Sequence, residues 1–270
     1  MKNIAVLING SSKYLDLTYN LFEHWNKLYD DINFDFYLST WEDSIDYSNF
    51  KWITKYERLK EEDCPYNLKE HPPRRHQPHY SYTLYRVNQL KNSTGKDYDS
   101  IIQTRSDYLF SRELLDCLVS LTKGNKVIPN IIFSGHGSDV HNGNLWTGDY
   151  FFFGHPKAFD KFSEMFVDIF TKGIFTPDKI LMHTMQAEYL NYRRIYNCGV
   201  FQDGCHFQGL LIREPMRFDP VGAHTDSGWP TKHPSPYQFK KILRDKGVDW
   251  LLSLNNYKKF IDIFETTKKE

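Results

Sequence analysis

Five consecutive apolar residues, Ile4-Ala5-Val6-Leu7-Ile8, run straight into Asn9-Gly10-Ser11-Ser12. Behind that turn Tyr14, Leu17, Leu21, Trp25 and Leu28 recur at helical spacing. A continuous apolar run has no solvent face, so as a strand it must be covered on both sides. Strand, small-residue turn and amphipathic helix form the unit of a largely parallel sheet with helices packed on it. The unit recurs along the chain. Ile32, Phe34, Phe36 and Leu38 alternate through a second strand at 32–40 that ends in Thr40-Trp41-Glu42-Asp43, and a third strand is expected at 51–56. A helix at 81–92 precedes the strand 100–104, which ends in Arg105-Ser106-Asp107. Ser111 caps a helix to Leu121, with Glu113 in its first turn.

Further strands are expected at 127–133 and 150–153. Pro156 suits the first position of a helix, and Phe159, Phe162, Phe166 and Phe170 form its apolar stripe. Thr176-Pro177-Asp178 starts a helix to Tyr192, and a terminal helix is expected at 248–264. Two stretches read as loops. Residues 61–79 hold Pro65, Pro72, Pro73 and Pro78 with Arg74 and Arg75, and 219–236 is rich in Pro, Gly and His. The expected architecture is α/β, a mainly parallel sheet flanked by helices, as one domain over 1–215 with a lid-like loop and C-terminal helix over 216–270 packing on it.

Composition narrows the function classes. Lys and Arg number 34, Asp and Glu 34, so the formal charge is zero. That excludes a strongly basic coat for nucleic acid and an acidic tail, although Arg74 and Arg75 leave a local basic patch. No apolar run reaches the ~18 residues of a membrane span, and the run at the N-terminus is too short for a signal-peptide core. Cys64, Cys117, Cys198 and Cys205 show no two-residue spacing, so neither a zinc ribbon nor a redox motif is expected. Four thiols in a chain this long suit a reducing, cytoplasmic compartment. Aromatic residues make up 16% of the chain, enough for a large core and an aromatic-lined cleft.

Ligands of parallel sheets bind beyond the carboxyl ends of the strands. Asn9-Gly10-Ser11, Thr40-Trp41-Glu42 and Arg105-Ser106-Asp107 should therefore meet in one crevice. The turn Gly10-Ser11-Ser12-Lys13 lacks the spaced glycines of a dinucleotide or P-loop fingerprint, yet its backbone N–H groups can hold a phosphate. Arg105 can grip a phosphate or carboxylate in a fork, and Asp107 can ligate a hard divalent cation. The competing reading is a structural ion pair between the two.

Taken in order, these pieces resemble a group of nucleotide-sugar glycosyltransferases of the GT-A type, from phage, large-virus and bacterial polysaccharide loci. The resemblance covers roughly residues 1 to 200. It rests on Ile8-Asn9-Gly10, Thr40-Trp41, the Tyr-rich stretch from Tyr82 to Leu90, and Tyr98-Asp99 with Arg105-Ser106-Asp107. Asp149-Tyr150-Phe151-Phe152-Phe153-Gly154 and Glu188-Tyr189-Leu190 complete the set. It implies a GT-A fold, a nucleotide-sugar donor, a glycan or other hydroxyl acceptor, and often Mn²⁺ or Mg²⁺. In such enzymes an Asp-Xaa-Asp motif holds the metal. Here Arg105 stands at the first Asp and only Asp107 maps, so a guanidinium can take over part of the cation's task.

The resemblance implies donor contacts from Gly10, Ser11, Lys13, Trp41, Arg105, Asp107 and Trp229. It implies metal ligands at Asp107 and a late His, His224 or His206, and an acceptor base at Asp149 or Glu188. Tyr82, Tyr85 and Trp146 are further stacking candidates. Residues 222–229 have the glycines and the ring of a lid. The rival readings are a phage-type transferase acting on hydroxymethylated DNA bases, a noncatalytic nucleotide-sugar-binding module and, more distantly, a nucleotidyltransferase.

Overall fold

The computed structural model describes residues 1–12, 14–41, 45–66, 76–135, 138–141, 144–147, 150–176, 181–199, 209–213 and 217–221. In chain order the strands and helices begin with β1 (Lys2–Gly10), α1 (Leu15–Leu28), β2 (Ile32–Trp41), β3 (Ile53–Leu59) and α2 (His76–Asn92). Then come β4 (Ser100–Thr104), β5 (Tyr108–Phe110), α3 (Arg112–Lys123), β6 (Ile131–Ser134), β7 (Ser138–His141) and β8 (Asn144–Thr147). The series ends with β9 (Phe151–Gly154), α4 (Pro156–Ser163), α5 (Met182–Tyr192), β10 (Tyr196–Gly199), β11 (Gly209–Arg213) and β12 (Arg217–Val221).

Seven strands form one mixed sheet in the order β10-β6-β9-β4-β1-β2-β3. Six of them run the same way; β9 alone is antiparallel, to both β4 and β6. The α/β architecture with a mainly parallel, helix-flanked sheet is thus as the sequence predicts. Side-chain alternation splits the core between the two faces. Ile4, Val6 and Ile8 of β1 and Phe151 and Phe153 of β9 pack with Leu15, Phe22 and Trp25 of α1 and with Leu114, Leu115 and Leu118 of α3. Ala5, Leu7, Ile101 and Phe152 face the other way, against Leu84 and Val87 of α2, Phe159 and Phe162 of α4, and Met185 and Tyr189 of α5. Trp25 meets Phe22, Phe34 and Phe110 edge-on at centroid distances of 5.4, 5.5 and 5.1 Å. Much of the aromatic surplus is therefore core.

The capping readings hold. The Ser111 side chain accepts from the Leu114 N–H at 3.1 Å, and Pro156 occupies the first turn of α4. Four expectations need correction; one is the strand expected at 127–133, which lies at Ile131–Ser134. Helix α2 begins at His76, inside the expected loop, because Pro78 falls in its first turn, where the missing N–H costs no bond. The third strand lies at Ile53–Leu59, later than 51–56. Helix α5 begins at Met182, well after Thr176. The Phe stripe is divided: Phe159 and Phe162 bury into the α2 face of the sheet, while Phe166 joins Leu59, Cys64 and Tyr82 in a separate cluster.

A second, three-stranded antiparallel sheet has the order β12-β11-β5, which puts 217–221 in register with 209–213. The terminal helix expected at 248–264 lies outside the described residues. No helix among the described residues is long and apolar enough to cross a membrane.

Candidate active site

Strands β1, β2 and β4 are adjacent and parallel, with Gly10 paired to Thr40 and Ile8 to Thr104, so their carboxyl ends open at one edge. A cavity of about 370 Å³ lies there, lined by Asn9, Gly10, Ser11, Tyr14, Trp41, His79, Tyr80, Arg105, Ser106, Asp107 and Met182. Gly10, Ser11, Trp41, Arg105 and Asp107, singled out from three separate strand ends, thus line one space.

Each is held there by a local device. Gly10 has φ +101°, a conformation side chains resist, and this lets β1 turn sharply into α1. Asn9 ties three elements together. Its amide oxygen accepts from Gln103 Nε2 at 2.7 Å, and its amide nitrogen donates to Thr83 Oγ1 at 3.3 Å. Both Asn9 and Gln103 are fully buried. This network draws the start of α2, with His79 and Tyr80, to the mouth of β1. The Trp41 ring lies 4.5 Å from that of His79, and His79 Nε2 is 3.7 Å from Glu61 Oε1.

The Arg105-Ser106-Asp107 turn is clamped at both ends. Before it, β4 belongs to the seven-stranded sheet; after it, the buried residues Tyr108, Leu109 and Phe110 form β5 in the small sheet. The buried Ser106 hydroxyl donates to the Ser11 carbonyl, fastening this turn to the glycine turn. Arg105 and Asp107 form a two-point ion pair: Nε to Oδ1 at 2.8 Å and Nη2 to Oδ2 at 2.6 Å. Burial first, and then the Asp107 charge, push the Tyr14 phenol above its ordinary range, so it stands in the cavity as a neutral hydroxyl.

The ion-pair reading of Arg105 and Asp107 and the cavity-lining reading therefore hold together. For a divalent cation the described residues do not fit. Among the described residues Asp107 is the single carboxylate lining the cavity, and both its oxygens are engaged by Arg105. Among the described residues no group of three or more His, Cys, Asp or Glu side chains is placed to hold a metal. A Mn²⁺ or Mg²⁺ at Asp107 would need ligands from elsewhere in the chain.

Glu188 is half-buried on α5 and does not line the cavity; it stands six residues, ~9 Å along the helix, beyond Met182, which does. Tyr82 is buried with its hydroxyl on the Asp63 carbonyl, and Tyr85 lines a different recess beside Glu57 and Arg86. Lys13, Arg74, Arg75, Asp149, His206, His224, the segment 222–229 and Trp229 lie outside the described residues, as does the side chain of Trp146. Tyr14, His79, Tyr80 and Met182 were not among the expected site residues. Tyr14 reads as the start of the α1 stripe and His79 as loop, and Met182 carries no polar signal at all.

No family model matches the chain, and no curated protein sequence matches it either. Among solved structures it is similar to the galactosyltransferase LgtC in complex with donor and acceptor sugar analogs, at 11% identity and TM-score 0.42, over 73% of this chain and 72% of that one. It is also similar to a protein described as a nucleotide-diphospho-sugar transferase from Desulfovibrio desulfuricans G20, at 10% identity and TM-score 0.41, over 93% of this chain and 99% of that one.

Proposed function

We propose that this chain is a glycosyltransferase that moves a sugar from a nucleotide-sugar donor to a hydroxyl acceptor. The observation that carries this reading is the single cavity at the carboxyl ends of β1, β2 and β4. It combines a glycine turn at the start of a helix, flat rings and a guanidinium fork. A nucleoside diphosphate asks for these three things: N–H groups and a cation for the phosphates, and rings for the base or sugar. Glycosyl transfer breaks the bond between the anomeric carbon and a phosphate oxygen, and negative charge gathers on the departing diphosphate. Arg105 is positioned to take that charge through two parallel N–H···O bonds. Trp41 and His79 form the aromatic wall. The acceptor hydroxyl must lose its proton as it attacks, and Asp149 is the proposed base, two residues ahead of Phe151, which pairs with Thr104 of β4. Lys13 and Trp229 are proposed as further donor contacts.

A thermal-shift panel of nucleoside diphosphates and sugar nucleotides, with and without Mn²⁺, tests the proposal. At least one nucleotide should raise Tm. No shift with any member of the panel refutes it. Donor hydrolysis or transfer in the same samples then separates an enzyme from a binding module.

A further inference from the structure

We infer that Asp107 is a built-in stand-in for the substrate phosphate: its carboxylate fills the Arg105 fork, and a nucleoside diphosphate binds by displacing it. The inference rests on the nucleotide reading above and gives Asp107 a role of opposite sign to that of a metal ligand. A metal ligand helps a diphosphate to bind. A stand-in competes with it.

The geometry makes the competition direct. Of the guanidinium's forked edges, the one through Nε and one Nη matches a pair of oxygens on a carboxylate or a phosphate equally well. In this structure Asp107 holds that edge with both oxygens. A phosphate cannot use it at the same time. The exchange need not disturb the core, because both side chains line the cavity and Arg105 is 32% exposed. Nor can the backbone relieve the conflict. The turn is fixed by the Ser106–Ser11 bond and continues directly into buried β5, so unpairing is left to side-chain rotation.

The charges point the same way. Among the described residues Arg105 and Asp107 are the Arg and Asp lining the cavity, no Lys or Glu joins them there, and they cancel. The described lining thus offers a dianionic diphosphate no net attraction until the carboxylate turns away from the guanidinium. Tyr14, kept neutral by burial and by the Asp107 charge, supplies a hydroxyl rather than a second anion beside the displaced group. A guanidinium short of acceptors in a half-buried wall is costly, and Asp107 supplies two of them to the empty site and lowers affinity in return.

The test is isothermal calorimetry of the full chain with UDP, GDP, ADP and inorganic pyrophosphate, each in EDTA and again in Mn²⁺. Asp107→Asn keeps the side chain's shape and one acceptor for Arg105 but removes the charge. It should bind the preferred nucleotide about tenfold more tightly than the unmodified chain, in EDTA, because one repulsive unit charge and one competitor are gone. Asp107→Ser should do the same, which guards against an effect peculiar to Asn, and Arg105→Gln should lose binding in both backgrounds. Pyrophosphate should follow the same order if the diphosphate is what Arg105 grips. Unchanged or weaker nucleotide binding by both Asp107 variants overturns the inference. So does tight binding that needs Mn²⁺ and disappears with Asp107→Asn. If neither the unmodified chain nor any variant binds a nucleotide, the nucleotide reading itself has failed.

Discussion

Replacing Asn9 by Ala should loosen the cavity from beneath, and the damage should be repairable at a second position. Asn9 accepts from Gln103 Nε2 at 2.7 Å and donates to Thr83 at 3.3 Å. The Thr83 hydroxyl keeps its own bonds to the carbonyls of His79 and Tyr80, so little is orphaned on that side. Gln103 fares worse. Its Oε1 already lacks a partner among the described residues, and its Nε2 would keep only a long contact of 3.4 Å to the Thr104 carbonyl. A buried donor left unmade costs about 1–3 kcal/mol, and the lost bond to Thr83 about 1 more. The sum, about 2–4 kcal/mol, corresponds to a fall in Tm of roughly 4–8 °C for a chain of this size.

The repair follows from the asymmetry between an unmade and an absent hydrogen bond. Gln103→Met removes the whole stranded amide while keeping a side chain of similar length. In the Asn9→Ala background it should recover about half of the lost stability, although made alone it strands the Asn9 oxygen and destabilises. Calorimetric or fluorescence melts of the four proteins form a double-mutant cycle. If the two substitutions prove additive, the Asn9–Gln103 bond is not what holds the strand ends and α2 together.

The remaining predictions concern single positions. Gly10→Ala places a side chain at φ +101° in open space, so it should cost about 1–3 kcal/mol of strain and weaken any nucleotide-induced Tm shift. Gly154→Ala brings a Cβ to 2.8 Å from the Ile131 carbonyl oxygen inside the sheet, so it should destabilise by about 1–3 kcal/mol and leave a nucleotide shift in place; a melt unchanged within a degree refutes it. His155 Nδ1 caps α4 by accepting from the Lys157 N–H at 3.1 Å, and burial, then the Lys157 charge, hold its protonation below the ordinary 6.5. That contribution is full above pH 6.5 and is lost as pH falls through the lower folded value, so His155→Asn should lose less Tm between pH 7 and 5 than the unmodified chain. Trp41→Leu keeps an apolar side chain at the cavity wall but removes the ring, and calorimetry should find nucleotide binding about tenfold weaker; equal affinity would place the base elsewhere.

What the sequence discloses depends on whether a position is decided locally. The ends of β1, β2 and β4 are legible because each apolar run stops abruptly at small or polar residues, and parallel pairing brings such ends together. The direction of β9 is not legible: Phe151, Phe152 and Phe153 are buried on both faces, so the run reads the same either way. The start of α2 is hidden by Pro78, whose missing N–H is harmless only in a first turn, and nothing local announces a first turn there. Strand β5 is three residues long and takes its partners from β11, a hundred residues on, so no local pattern marks it. Glu188 was singled out on a helix expected to begin at Thr176. With the helix starting at Met182, it is Met182 that meets the cavity.

Arg105 and Asp107 show how two readings that look exclusive in a sequence can be compatible in a structure, where the ion pair itself lines the cavity. Two residues apart at the end of a strand, they invite either a structural ion pair or a ligand site. A guanidinium at a cavity wall has two requirements that conflict. It must be free enough to meet a phosphate, yet it cannot stand there unsatisfied when no phosphate is present. A carboxylate fixed two residues away by a clamped turn meets the second requirement at a cost to the first. The size of that cost depends on how much more strongly a diphosphate than a carboxylate engages the same edge. An ion pair at a binding cavity is therefore informative in a way that a surface ion pair is not: its strength sets a threshold that a true ligand must exceed, and a weaker anion such as a free carboxylate or a single sulfate will not open it.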